Sequence, residues 1–297
     1  MPQTIQRPET SIAASQAAPL AQLGAWQLVK LIGEGRLCRV YAARPIAHSP
    51  SRPTYALKVL KERWQEQPTA IEVMRREAIV GKKVSHPHVI SVLSAHVGAP
   101  PYFLVMPLLE GASLDRRLAA GERTGIATAL WIARQTAEAL GALHAAGWMH
   151  ADVKPANIFL SADGHATLLD LGFARQPTDS TSLVQRCVTG TMQYIAPEMI
   201  TSALRPDIRS DIYSLGATLY EMLTGGPPFV ADGLEQLATL HRAAEPRPLR
   251  LHAPQVPAKV ARFVHQMLAK EPLRRPQTPQ DVIDRLVDFE IETFDMR

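Results

Sequence analysis

The chain has 297 residues, of which 46% are hydrophobic and 20% charged, with 32 Lys and Arg against 28 Asp and Glu and only two Cys. That describes a soluble globular chain with room for two domains or one bilobal unit, and it excludes a disulfide-stapled mini-protein. A net charge of +4 is small for a general nucleic-acid binder, and no apolar run reaches the roughly 18 residues of a membrane span.

Residues 1–24 combine Ala, Ser, Gln and Pro without a basic segment leading into an apolar stretch, so a flexible tail is expected rather than a secretory signal. Order is expected to begin at Trp26, where WQLVKLIGEG and LCRVYAAR read as a β-hairpin and TYALKVLKE as a third strand. From Pro68 to Val84 the residues Ile71, Met74, Ala78 and Ile79 recur at about helical spacing, and Pro sits where a helix start tolerates it. SHPHVISVLSAHV and PYFLVMPLL read as two further strands, giving a β-rich lobe of five strands and one helix. Beyond Gly111 helical periodicity prevails, in Gly125 to Ala146, Asp207 to Leu223 and Pro257 to Ala269, interrupted by GWMHADVKPANIFL and HATLLDLGFA. Residues 281–297 carry six acids against two Arg and read as a solvated terminal face. The expected fold class is therefore α+β and bilobal: a tail at 1–24, a domain at 25–290 and a short tail at 291–297. Within the domain the small lobe covers 25–106, the hinge 107–111 and the helical lobe 112–290, and the cleft between lobes is the default ligand site.

Between the first two strands, Gly33-Glu34-Gly35-Arg36-Leu37-Cys38-Arg39-Val40 has the form of a GxGxxGxV phosphate-binding loop with Cys at the third glycine position. Glycines let backbone N–H groups approach phosphate oxygens, although a glycine pair joining two strands is, taken alone, more often a plain hairpin turn. The strand-to-strand context argues against a Walker loop or a Rossmann turn, both of which run into a helix. Lys58 follows on the third strand, and Glu77 lies midway along the next helix as a counter-charge.

The decisive segments are His150-Ala151-Asp152-Val153-Lys154-Pro155-Ala156-Asn157 and Asp170-Leu171-Gly172, followed by Ala196-Pro197-Glu198, Asp211 in SDIYSLG and Arg275 in RRP. In this order and at these intervals they resemble the protein kinases, specifically the eukaryotic-like Ser/Thr kinases found in bacteria, from about Trp26 to Leu286. The resemblance implies Ser/Thr protein kinase activity, with ATP and Mg²⁺, or Mn²⁺ in its place, as cofactors. Catalytic roles would fall to Asp152 as acceptor of the substrate hydroxyl proton, Lys154 at the γ-phosphate, and Lys58 at the α- and β-phosphates, oriented by Glu77. Asn157 and Asp170 would hold metal through oxygen ligands, as a hard cation requires. The nucleotide would lie against Gly33, Gly35, Val40 and Ala56 above and Phe159 below, with Met106 as gatekeeper, the carbonyl of Pro107 and the N–H of Leu109 at the hinge. Asp211 and the Glu198–Arg275 pair would be structural anchors.

The partners implied are a Ser- or Thr-bearing protein substrate and a regulatory protein, with no nucleic acid and no membrane span, in the cytoplasm, where Cys38 and Cys187 would be free thiols. Ala151 replaces the usual Arg, making a non-RD catalytic loop that lacks the cation for a phosphorylated activation loop. Control from outside that loop and a compensated, harmless substitution are both open. Thr178, Ser180, Thr181, Ser182 and Thr189 are candidate phosphorylation sites, and the Gly190–Thr191 pair resembles that of Ser/Thr-directed kinases. Leu171 in place of Phe and Gly81 four residues after Glu77 are expected to loosen the apolar stack between the lobes. Cys38 would be a redox-sensitive thiol only if exposed and of lowered pKa; His86 and His88 read as capping and packing residues. A pseudokinase acting as a nucleotide-binding scaffold is the alternative. A small-molecule phosphotransferase is disfavoured by the APE segment and its Arg partner, and a nucleic-acid role by the lack of a basic stripe.

Overall fold

The computed structural model describes residues 22–48, 52–122, 124–176, 192–200 and 205–294. The first half builds one antiparallel sheet from β1 (Gln22–Leu23), β2 (Trp26–Glu34), β3 (Cys38–Pro45), β4 (Tyr55–Leu60), β5 (Ser94–His96) and β6 (Phe103–Pro107) in the order β1-β2-β3-β4-β6-β5. The sheet thus has six strands rather than five, because Gln22 and Leu23, expected to lie in the tail, pair with Gln27 and Trp26. The segment His86 to Leu93, expected to be strand, is a loop. Its alternating apolar residues mimic a strand, but the amides of Val89, Ile90, Val92 and Leu93 donate to His86, Leu168, Gly81 and Val105 carbonyls in turn, so no single partner strand exists.

Strand register aligns the cleft. Val40 pairs with Lys58, and Ala42 with Ala56, which in turn pairs with Met106. Directly opposed residues share a face and side chains alternate along a strand, so Val40, Ala56, Lys58 and Met106 all lie on one face of the sheet. Helix α1 (Pro68–Lys83) starts at a proline, where the missing N–H costs nothing, and buries Met74, Glu77, Ala78, Val80 and Gly81. Ile79, read from its spacing as inward, is exposed.

Beyond the hinge, β7 (Ala112–Ser113), β8 (Ile158–Leu160) and β9 (Ala166–Leu168) form a small sheet, with helices α2 (Leu114–Ala119) and α3 (Ile126–Ala145) between β7 and β8 in the chain, and α4 (Ile208–Thr224), α5 (Leu234–Ala243), α6 (Leu249–His252), α7 (Ala258–Met267) and α8 (Pro279–Glu292) after β9. Helix α4 is buried almost all round, starts at an Asp207 cap and stops at Gly225, whose φ of 84° terminates the helix; it forms the axis of the lobe. Gly216 lets it approach α7, since a Cβ there would meet Met267 Cβ at 2.7 Å. The acidic terminal segment is not a solvated face throughout. Thr278 and Asp281 make a capping box, and Val282, Leu286 and Phe289 at helical spacing are buried against α3.

The junction of the lobes is closed, contrary to the loose stack expected from Gly81 and Leu171. Val92 occupies the space beside Gly81, where a Cβ would meet Val92 Cγ2 at 2.5 Å, and Leu171 is fully buried. Val73 of α1 fills the matching gap at Gly172, again leaving 2.5 Å for a Cβ. Small and large side chains have traded places across the stack. Gly81→Leu is therefore expected to destabilise the protein by about 1–3 kcal/mol through overpacking. Adding Val92→Ala should restore part of the loss in denaturant unfolding, whereas an unchanged midpoint for Gly81→Leu would mean that Val92 does not fill that space.

Candidate active site

The centre of the cleft is an ion-pair junction. Lys58 Nζ on β4 donates to Glu77 Oε2 of α1 at 2.6 Å and to Asp170 Oδ1 at 2.9 Å, just beyond β9. Glu77 is 1% exposed and has its counter-charge within hydrogen-bond distance, as a buried carboxylate requires. Burial works against the charge on Lys58, but Asp170 and Glu77 more than offset it and hold the ammonium above its ordinary range. Burial likewise opposes ionisation of Asp170, and Lys58 overrides it, keeping this carboxyl below its usual value. At Glu77 burial prevails over the pull of Lys58 and pushes the carboxyl up to about 7.

Opposite this junction lies the catalytic-loop segment. Asp152 Oδ2 accepts from Lys154 Nζ at 2.8 Å and from Asn157 Nδ2 at 2.9 Å, while Asn157 Nδ2 also reaches the Asp152 carbonyl at 2.8 Å. The amide nitrogen of Asn157 is thereby used, which leaves its oxygen as the atom that could take a metal. Together with the ionised Asp170 it gives a sparse all-oxygen set, suited to a Mg²⁺ that completes its shell with phosphate and water. Among the described residues no group of three or more His, Cys, Asp or Glu could hold a metal alone.

The loop is held from beneath. The N–H groups of His150 and Ala151 each donate to the Asp211 carboxylate at 2.7 Å, fixing Ala151 at a φ of 66°. Asp152 N–H donates to His150 Nδ1 at 3.1 Å, so Nε2 carries the ring proton and donates to the Leu169 carbonyl at 2.9 Å. His150, which carried no role in the sequence reading, therefore joins the Asp152 and Asp170 segments. A cavity of about 30 Å³, room for one water, lies beside Ala151 between this loop and Met192, Tyr194 and Ser210.

Of the nucleotide-contacting candidates, Val40, Ala56 and Met106 line the sheet face above, and Phe159 on β8 belongs to the lobe below. Leu108 N–H is taken by the Thr54 carbonyl, and Pro107 has none, so the Leu109 amide is the next donor along the hinge. Gly33 pairs with Val40 at the end of the β2–β3 ladder, and the Gly35 N–H closes the loop on the Cys38 carbonyl at 2.9 Å. Cys38 is buried, and burial pushes its thiol up to about 12, the opposite of what a redox-sensitive cysteine needs. His88 Nδ1 lies 2.7 Å from the Ala166 carbonyl, its ring stacks on His165, and the backbone N–H of His88 donates to His86 Nδ1, which matches the capping and packing reading. Cys187, Thr178, Ser180, Thr181, Ser182, Thr189, Gly190 and Thr191 lie outside the described residues.

Arg275 and Glu198 form a bidentate pair at 2.7 and 2.8 Å, with Ser210 Oγ donating to the same carboxylate at 2.6 Å, all buried. Val92 and Ser210 were missed by sequence reasoning; only the missing Cβ of Gly81 hinted at the former.

The protein kinase domain family matches residues 26–286, and the chain belongs to that family. It is 33% identical over 263 residues to the serine/threonine-protein kinase PknD of Mycobacterium tuberculosis (strain CDC 1551 / Oshkosh), covering 88% of this chain and 39% of that protein. It is 34% identical over 266 residues to PknH of Mycobacterium bovis, covering 88% and 43%, and 34% identical over 262 residues to PknB of Mycobacterium leprae, covering 86% and 42%. The chain thus spans about two fifths of the length of these curated relatives.

Burial raises the pKa of Glu198, but Arg275 outweighs it and the carboxyl lies below its ordinary value of 4.5. A depressed carboxylate adds stability above its unfolded pKa, and this is lost as pH falls through the lower folded value. Glu198→Gln is therefore expected to cost about 3–5 kcal/mol at pH 7, by leaving Arg275 buried without its counter-charge. The fall in Tm between pH 5 and 3 should also be shallower than in the wild type; an unchanged acid limb would show that the pair does not carry this linkage.

Proposed function

We propose that the chain is an active Ser/Thr protein kinase that transfers the γ-phosphoryl group of ATP to protein hydroxyls, and that it is a eukaryotic-like, non-RD member of the family. The observation that carries this reading is the closed Lys58–Glu77–Asp170 junction facing an Asp152 held by Lys154 and Asn157. Phosphoryl transfer asks little covalent chemistry of the protein and much positioning and charge compensation. Lys58, kept charged and oriented by Glu77, holds the α- and β-phosphates. Asp152 orients the substrate hydroxyl and accepts its proton, and Lys154 sits beside it to meet negative charge on the transferred group. Asp170 and Asn157 would hold Mg²⁺, which when bound neutralises the phosphate oxygens. Val40, Ala56 and Met106 above, Phe159 below, and the Pro107 carbonyl with the Leu109 amide at the hinge take the adenine, while Gly33 and Gly35 admit the phosphates beneath the loop.

The assembled junction favours this reading over the pseudokinase. The domain that carries it extends from β1 to the end of α8, with the hinge at 107–111 between the lobes. With Ala151 buried at the position of the usual Arg, control comes from a protein partner rather than from a phosphorylated loop paired with that residue. No helix among the described residues is long and apolar enough to cross a membrane. The cytoplasm is the location we propose, on the support of the free thiol of Cys38.

The test is γ-phosphate incorporation into the purified chain and a generic Ser/Thr substrate with Mg²⁺ or Mn²⁺. Asp152→Asn is expected to cut incorporation by at least about 10³-fold, in the range set by loss of a catalytic base together with mispositioning, while nucleotide binding persists. Retained nucleotide binding without any transfer by the wild type would move the scaffold to first place or point to a missing activating partner.

A further inference from the structure

The glycine-rich loop is tied from outside by the residues that follow β4. Arg36, at its tip, has a carbonyl that accepts from Trp64 Nε1 at 3.1 Å and from Arg63 Nη2 at 3.2 Å. The guanidinium groups of Arg36 and Arg63 lie 5.9 and 5.5 Å from the Trp64 ring centroid. One residue along, the Leu37 carbonyl accepts from Lys61 N–H at 2.9 Å, and Lys61 Nζ pairs with Glu34 at 2.6 Å. At the base of the loop Cys38 Sγ packs on Met74 Sδ of α1 at 3.5 Å.

A trans peptide is planar, with its C=O and N–H pointing in opposite directions. Two donors gripping the Arg36 carbonyl therefore also fix the direction of the Leu37 N–H, on the face away from Trp64. That N–H finds no acceptor among the described residues. A backbone donor held in place and left unpaired at the tip of such a loop suits a phosphate oxygen.

Resting on the kinase reading, we propose that Trp64 and Arg63 form a latch on the Arg36 carbonyl that presents the Leu37 amide to the phosphates of ATP, which makes both of them positioning residues for the nucleotide. The latch acts on the phosphates and leaves the adenine contacts untouched. It should therefore separate affinity for a triphosphate from affinity for the nucleoside.

The experiment is calorimetric titration of the full chain with the non-hydrolysable analogue AMP-PNP plus Mg²⁺, and separately with adenosine. Trp64→Phe keeps the ring and removes the N–H donor, and it is expected to weaken AMP-PNP binding about fivefold, the equivalent of one hydrogen bond, with adenosine binding unchanged. Arg63→Ala, an exposed position suited to the test if Trp64 variants fold poorly, should weaken AMP-PNP alone by about twofold to fivefold. Trp131→Phe, which removes an indole donor to the Gly164 carbonyl in the helical lobe, should change neither ligand. Hydrogen exchange of residues 33–38 in the free protein should quicken in Trp64→Phe. Equal AMP-PNP affinity in wild type, Trp64→Phe and Arg63→Ala would overturn the latch, as would a parallel loss for adenosine. A wild type that binds neither ligand would instead overturn the kinase reading on which the latch rests.

Discussion

An ammonium group taken out of water must meet compensating charge, and at Lys58 that requirement ties the lobes together. Its two carboxylate partners come from different places in the chain, Glu77 from α1 and Asp170 from the segment after β9. Losing the ammonium would leave both carboxylates without their counter-charge in a poorly solvated site, a penalty far above the worth of a surface salt bridge. The position of α1 against the sheet is thus set by charge compensation before packing is considered. Packing then conforms to it, with Val92 against Gly81, Val73 against Gly172 and a fully buried Leu171. Catalytic geometry and lobe closure are in this way one problem with one solution.

The helical lobe works by a different rule, holding backbone in conformations it would not choose. Ala151 and Asp170 both have φ near 60°, which costs a residue with a Cβ about 1–3 kcal/mol each and persists only where the surroundings over-determine it. At Ala151 the determinant is the Asp211 carboxylate, fully buried on α4 and accepting from two successive amides. The Glu198–Arg275 pair does the equivalent work for the segment after residue 192, with Arg275 also donating to the carbonyls of Ala269, Lys270 and Arg209. Buried charges in this lobe serve as fixed points for loops, and the buried helix α4 supplies the rigid body to which they are anchored.

What could be read from the sequence follows from this division. Lys58, Asp152, Asn157 and Asp170 were legible through the order and spacing of motifs that resemble a known family, and Val40, Ala56 and Met106 followed from the same resemblance; the register of β3, β4 and β6 is what puts those three on one face. Val92 was not legible, since its role is defined by a side chain that Gly81 lacks. The His86–Leu93 loop misled because its apolar alternation is that of a strand while its amides have scattered acceptors. The acids of the last helix misled because a count ignores direction: Val282, Leu286 and Phe289 take the inner face and the charges the outer one. Trp64 looked unremarkable in a polar stretch, as its partner is a backbone carbonyl that no side-chain pattern reports.

The departure at Cys38 is explained by the same physics. A third glycine would give the loop conformational freedom, at an entropic cost when phosphates are bound. The cysteine instead turns inward, its thiol raised to about 12 by burial, and behaves as a small apolar wedge against Met74. Loop freedom lost at Cys38 is consistent with the contacts made at Arg36 and Leu37, where side chains from the β4–α1 connection hold the carbonyls. A loop so restrained has less entropy to lose on ligation, and its fit depends on residues that never touch the nucleotide. Under the proposed function, β4 and the connection after it would act on two ends of the phosphate chain, with Lys58 of β4 on one side and Trp64 of the connection shaping the loop on the other.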